Sequence, residues 1–197
     1  MNVIDAVKSR RTVRRFLQEP VEKKLILEMI DAARLSPSAG NVQSLKYIAI
    51  DSYDVRKAIF PYVKYAGYIP DWNPDFEETP TAFIAVLSDT AIRKTNAFTD
   101  CDSGIAMMAI SLVACELGLD SCILGAIDKK EISEILGIAP EYELLYLIGI
   151  GKANQVNTQY DDSTNVKYLM DDNKNFKVPK RKLEDIVIEI GENKWQK

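Results

Sequence analysis

Histidine is missing from this 197-residue chain, and that absence removes whole classes of chemistry. No Ser-His-Asp triad, Cys-His pair, HExxH zinc site or imidazole proton relay can be assembled from it. Cysteine is scarce. Cys101, Cys115 and Cys122 have no C-x-x-C spacing, so neither a disulfide framework nor a zinc pattern is present. Thiols used this way act as small apolar side chains and fit a reducing compartment, so a cytoplasmic location is expected. The start, Met1-Asn2-Val3-Ile4-Asp5, has no basic stretch leading into an apolar one, and no secretory signal is expected. The most apolar run, residues 104–115, falls short of the ~20 residues that a bilayer crossing needs, so no membrane partner is expected. An enzyme made from this chain must use carboxylates, Lys, Tyr or Cys for protons, or leave the chemistry to a bound cofactor.

What is present is enough for one domain spanning residues 1–197. With 47% hydrophobic residues, a chain of this size buries ~70% of its unfolded surface and needs no staples. Charge is distributed unevenly. Residues 1–24 hold seven basic side chains (Lys8, Arg10, Arg11, Arg14, Arg15, Lys23, Lys24) against Asp5, Glu19 and Glu22, a net +4. The total is −4, so residues 25–197 carry −8. A second basic island, Lys174, Lys177, Lys180, Arg181 and Lys182, lies near the other end. Two cationic clusters on an acidic chain point to a local anion site. A nucleic-acid face would make the whole domain basic, and no nucleic acid is expected as a partner.

Apolar spacing predicts helices over residues 2–9 and from Pro20 to Arg34, with a Pro/Gly/Asn-punctuated loop at 36–41. It predicts a strand at 47–50 and a helix over 54–64 interrupted by Pro61. Residues 65–80, with Pro70, Pro74, Pro80 and Trp72, read as a lid or excursion. A strongly apolar strand at 82–87 precedes a helix over 102–117 ending at Gly118. That helix is apolar all round and must be covered on every side, by a central position or a subunit interface. Further strands are expected at 121–124, 144–150 and 186–190, and Asp128 with Glu131 suggests a capping box for a helix to Leu136. The result is a mixed α/β or α+β domain.

Gly149-Ile-Gly151-Lys152-Ala-Asn154 follows a strand but fails as a dinucleotide turn, because Asn154 replaces the third glycine. No Walker A motif exists. A phosphate can still be held by Arg forks and a hydroxyl; such bonds contribute ~1.5–3 kcal/mol each, so three or four hold a mononucleotide.

Five segments then fall into one recognisable order. Ser9-Arg10-Arg11-Thr12-Val13-Arg14-Arg15-Phe16 resembles the opening of the nitroreductase family, the FMN-dependent NAD(P)H oxidoreductases. Residues 36–43, Ser-Pro-Ser-Ala-Gly-Asn-Val-Gln, are similar to that family's P-S-x-x-N-x-Q loop. Residues 114–125 resemble its central helix and the strand beside the flavin, residues 148–152 its penultimate strand, and residues 178–183 its closing basic motif.

The resemblance implies an α+β, three-layer fold: a central, mixed but mainly antiparallel sheet flanked by helices, in an intertwined homodimer with two FMN sites at the interface. It implies that Arg10 and Arg14 contact the phosphate and the pyrimidine edge of FMN, with Arg11 and Thr12 beside them. Pro37, Ser38, Ala39, Asn41 and Gln43 would approach from the partner subunit, and Leu124 and Gly125 would offer backbone near the ring. Lys180 and Lys182 would return to the phosphate, with Arg181 the alternative at that position; alternate residues share a side when extended. Residues 183–197 would form an arm reaching the partner. A cation at the pyrimidine edge stabilises the negative charge of reduced flavin. Hydride would pass from NADH or NADPH to FMN and on to a small aromatic, nitro or quinone-type acceptor by a ping-pong mechanism, with no catalytic protein residue required. The alternatives are reductive dehalogenation of an aromatic substrate, in which Tyr65, Tyr68 and Trp72 could stack, or a non-catalytic FMN-binding sensor.

Overall fold

The computed structural model describes residues 1–188. Its contacts divide into two compact units, residues 1–66 with 72–155, and residues 67–71 with 156 onward.

In the larger unit, α1 (Val3–Ser9) leads to a two-residue strand, β1 (Phe16–Leu17), and then to α2 (Lys23–Arg34). Next come β2 (Leu45–Ile50), α3 (Tyr53–Ile59), β3 (Ala82–Asp89), α4 (Ala97–Glu116), β4 (Asp120–Leu124), α5 (Lys129–Leu136) and β5 (Tyr142–Ala153). The sheet runs β2-β3-β5-β4, all antiparallel, with β1 on the end of β5 and a parallel bridge from Thr12 to Ser121 beyond β4. Period-two alternation sorts the two cores. Phe83, Ala85 and Leu87 join Ile59, Cys122, Ile132 and Leu147 under α3 and α5. Ala82, Ile84 and Val86 join Ile26, Met29, Met107 and Ile110 under α2 and α4. β3 is buried along its whole length, as a strand covered on both faces must be. Three layers result, as the resemblance implies.

The smaller unit is a three-stranded sheet of β6 (Thr158–Asp161), β7 (Leu169–Met170) and β8 (Phe176–Lys180) in the order β6-β8-β7, followed by α6 (Leu183–Ile186). Tyr68, from the 67–71 excursion, donates its N–H to the Tyr168 hydroxyl at 3.2 Å and stacks edge-on against that ring, which in turn meets Phe176.

Three expectations change. α4 starts at Ala97, five residues before Asp102, because Asn96 and Thr99 cap it reciprocally; that pairing is a polar variant of the capping box. At 20 residues α4 is long and apolar enough by composition to cross a membrane, yet it packs on α2 and the sheet as a core helix. The strand expected at 186–190 is not formed at its start, where Ile186 closes α6; residues 189–190 and the rest of the 183–197 arm lie outside the described residues. The 65–80 excursion is mostly packing. Tyr65 is 4% exposed, Trp72 lies against the α3/α5 core, and Phe76 meets the Tyr53 and Phe60 rings.

Gly149 and Gly151 sit inside β5. A Cβ on Gly149 would lie 2.3 Å from Pro80 Cγ, and one on Gly151 would lie 2.9 Å from Phe16 Cδ1. Close approach of neighbours, and no phosphate turn, accounts for both glycines.

Candidate functional site

The N-terminal basic segment is pinned along β4. Arg10 ends α1, its N–H donating to the Ala6 carbonyl. Arg11 Nη1 turns back to the carbonyls of Lys8 and Arg10 at 2.6 and 2.8 Å. Thr12 bridges Ser121, and Val13, buried at 2% exposure, donates its N–H to the Ser121 carbonyl. The N–H groups of Arg14 and Arg15 share Gln155 Oε1. Arg14 Nε donates to the Tyr65 carbonyl at 2.5 Å. Arg15 is spent on Glu78 in a half-buried pair, and that carboxylate raises the Arg15 pKa. The Nε atoms of Arg10 and Arg11 are buried and have no hydrogen-bond acceptor. Buried orphan donors on cations are costly unless an anion meets them, so these residues fit a phosphate-bearing ligand.

Leu124 and Gly125 lie further along β4 from this segment. Leu124 is buried opposite Leu147, which leaves only its backbone available, and Gly125 lies over the Tyr146 ring. Residues 61–64 run beside 125–128, with the Lys64 N–H on the Ala126 carbonyl and the Asp128 N–H on that of Tyr62, both at 2.9 Å. A cleft of about 480 Å³ lies between them, lined by Pro61, Tyr62, Lys64, Gly125 and Asp128. Lys64 is a cation that sequence reasoning missed, a lone lysine among aromatics with no motif around it. Nearby Cys122 is fully buried, which pushes its thiol up to about 11 against the pull of the Arg14 cation. A thiol held neutral in this way is core, as sequence reasoning also favours.

Residues 36–44 form a separate site. Ser38 Oγ accepts from the Gln43 N–H at 3.1 Å, and the Ser38 carbonyl accepts from Asn41. Gly40, Asn41 and Gln43 have φ of 64, 54 and 54°. Ala39 is gripped twice: its N–H donates to Asp102 Oδ1 at 2.8 Å, and its carbonyl accepts from Arg93 Nη2 at 2.6 Å. A cleft of about 220 Å³ beside this loop is lined by Ser38, Gln43, Lys46, Tyr47, Asp102 and Ala106. Burial pushes the Tyr47 hydroxyl up to about 12.

The sheet register separates the two sites. Thr12 neighbours Ser121, which pairs Ile150; the loop feeds Leu45, which pairs Ser88 and through it Glu143. Four strand spacings of about 4.8 Å one way and seven residues at about 3.3 Å the other put these corners roughly 30 Å apart across the sheet. Arg10, Arg11, Thr12 and Arg14 therefore gather at one corner, and Leu124, opposite Leu147, and Gly125 lie further along β4 from it. Pro37, Ser38, Ala39, Asn41 and Gln43 gather at the diagonal one. Lys180 and Lys182 belong to the smaller unit, where the Lys180 carbonyl accepts from Asp162 and the Lys182 N–H donates to Ser163 Oγ; both side chains and Arg181 are exposed. Among the described residues no cluster of His, Cys, Asp and Glu could hold a metal.

The model of the nitroreductase family matches residues 7–152, which include both corners. The chain belongs to the nitroreductase family. A protein of Methanothermobacter thermautotrophicus named for NADH dehydrogenase/NAD(P)H nitroreductase activity is 30% identical over 151 residues, covering 75% of each chain. A solved structure of an FMN-dependent nitroreductase from Clostridium difficile R20291 superposes with a TM-score of 0.65 at 25% identity, covering 82% of this chain and 94% of its own. A nitroreductase-family structure from Clostridium novyi gives a TM-score of 0.68 at 21% identity, over 78% of this chain and 86% of its own, and so shares the nitroreductase fold.

Proposed function

We propose that this nitroreductase-family chain is an FMN-dependent NAD(P)H oxidoreductase, acting as a homodimer. When bound, FMN supplies the hydride chemistry, taking hydride from NADH or NADPH and delivering it to a small aromatic, nitro or quinone-type acceptor in ping-pong order. The observation that carries this reading is the diagonal placement of the two family segments, further apart on one sheet than a mononucleotide reaches. Two copies joined so that one chain's Arg10–Arg14 corner meets the other's Ser38–Gln43 loop would complete two equivalent sites.

The chain's residues have distinct roles in this reading. Arg10 and Arg11 present buried N–H donors to the phosphate. Arg14, held by the Tyr65 carbonyl, keeps a cation at the pyrimidine edge, where reduction adds charge. The Gly125–Asp128 backbone and Lys64 border the cleft open to donor and acceptor. What supports a second copy on α4 is that exposed Cys101 and Ile105 and half-buried Met108 and Leu112 recur at helical spacing outside the two apolar cores. Contiguous exposed apolar surface of this kind marks an interface. The cytoplasm, with its reduced thiols and nicotinamide donors, suits this chemistry.

The test starts with the absorbance spectrum of the purified protein and the identity of any chromophore released on denaturation. Under argon, NADH or NADPH should bleach the flavin band and a nitroarene should restore it. A protein that stays colourless and takes up no added FMN refutes the reading. Bound flavin that neither nicotinamide reduces leaves a binding module in place of an enzyme.

A further inference from the structure

We propose that Arg93 and Asp102 are positioning residues: a charge pair, with Asp102 buried and Arg93 partly so, that holds Ala39, and with it the Ser38–Gln43 loop, in the shape that meets the flavin. This rests on the FMN-dependent reading above. The two side chains come from different elements, Arg93 from the turn after β3 and Asp102 from the second turn of α4, and they converge on one backbone residue. They bond to each other poorly. Arg93 Nη1 and Asp102 Oδ2 are 3.6 Å apart, too long for a hydrogen bond, and each of these buried atoms has no other partner. A pair kept only for its own attraction would close into a two-bond fork. Here the short contacts, 2.8 and 2.6 Å, go to the Ala39 N–H and C=O.

The loop explains why a charge pair is retained in so dry a place. Asp102 is 3% exposed, and burying a carboxylate is expensive. Asn41 and Gln43 hold left-handed φ values in addition to Gly40. Such conformations are unfavourable for residues with a side chain and persist only where the surroundings enforce them. The internal bonds from the Asn41 and Gln43 N–H groups to Ser38 shape the turn. The grip on Ala39 fixes that turn to α4 and to the segment after β3. Asp102 also borders the 220 Å³ cleft that Ser38 and Gln43 line, so the grip acts at the surface offered to the partner's cofactor.

The test compares R93M, D102A, the double variant R93M/D102A and D102N. Three quantities are read: the unfolding midpoint without flavin, amide hydrogen exchange at residues 39–43, and the FMN dissociation constant from quenching of flavin fluorescence. Each of R93M and D102A strands one buried charge, so the midpoint falls and the FMN dissociation constant rises about tenfold or more. In the double variant no charge is stranded, so the midpoint recovers, but residues 39–43 exchange faster and FMN affinity stays low. D102N keeps an oxygen for the Ala39 N–H and retains affinity within about threefold of wild type. Wild-type exchange and FMN affinity in the double variant would show that the pair is merely structural. Should the double variant not fold, Arg93→Lys decides instead: it keeps the charge but has one nitrogen where arginine faces both Ala39 and Asp102, so unchanged affinity and exchange overturn the proposal. If wild-type protein takes up no FMN, the functional reading fails and this one with it; wild-type uptake with an unaffected variant removes only the positioning role.

Discussion

Arg14 Nε donates to the carbonyl oxygen of Tyr65 at 2.5 Å, and the Tyr65 N–H is itself held by Asn73 Oδ1 at 3.1 Å. A cation named from the opening motif is thereby tied to the segment that ends in Lys64 and borders the Gly125 cleft. Arg14→Ala removes both the charge and the tie and should weaken FMN binding by about 1.5–3 kcal/mol, the worth of a hydrogen bond to a charged group. Arg14→Lys keeps the charge but not the fork, and should fall between. Flavin-fluorescence titration measures both, and equal affinity in all three proteins would remove Arg14 from the site.

Gly149→Ala tests the packing account of the β5 glycines. The new methyl would lie 2.3 Å from Pro80 Cγ, and overpacking of this kind costs about 1–3 kcal/mol. For a chain of this length the midpoint falls by about 2–4 °C per kcal/mol. Flavin affinity, measured at a temperature where the variant is folded, should stay at the wild-type value. A selective loss of FMN with an unchanged midpoint would instead favour a phosphate-turn role for this segment.

Why parts of this structure were legible follows from the kind of signal each carries. β3 and β5 read clearly because Ala82–Leu87 and Leu144–Ile150 are near-continuous apolar runs, and α5 because Asp128 caps Glu131 and Gly137 closes the helix in the left-handed region. The first turn of α4 was hidden because Asn96 and Thr99 are an unusual capping pair. β6, β7 and β8 are short and mixed in composition, so pairing with one another and not an apolar pattern makes them strands. At the candidate site, the motif residues were legible as local strings, but their partners were not. Asp102 reads as the start of a helix, Arg93 falls in no element that the sequence predicts, and only tertiary structure brings both to Ala39.

Asp120 supplies a pH prediction. Burial raises its pKa above 3.8, opposed by the Ala153 N–H bonded to Oδ2. A folded-state pKa above the unfolded one gives stability that is present below the unfolded pKa and lost as pH rises through the folded pKa. At neutral pH the wild-type protein therefore carries a buried charge that Asp120→Asn does not, while the amide oxygen can still accept from Ala153. The stability of D120N relative to wild type should rise between about pH 3 and pH 7 in urea unfolding. A difference that does not change with pH would contradict the burial argument.

At the alkaline end, burial raises Cys122 from 9.0 to about 11 and Tyr47 from 10.0 to about 12. Both groups favour the fold while neutral, so stability should fall as pH rises from about 9 towards 12. Cys122→Ala removes the earlier part of that loss and flattens the curve between about 9 and 11. In the native protein at neutral pH, a thiol reagent should leave buried Cys122 untouched until the chain unfolds. Prompt labelling of Cys122 would show that its surroundings open.

Ile105→Asp tests whether the site needs two chains. Ile105 is 38% exposed on the apolar stripe of α4 and lies outside both apolar cores, so a carboxylate there should cost the isolated chain little stability. In a dimer that buries the stripe, the same carboxylate would be desolvated without a partner, a cost of several kcal/mol that association does not repay. Sedimentation should then find a folded monomer, with FMN affinity lost alongside the dimer because the Arg10–Arg14 corner no longer meets a Ser38–Gln43 loop. A monomeric variant that holds FMN as tightly as wild type would mean that one chain builds the site alone, despite the separation that the register of β2, β3, β5 and β4 gives these two segments. The cofactor residues would then have to be sought at one corner only.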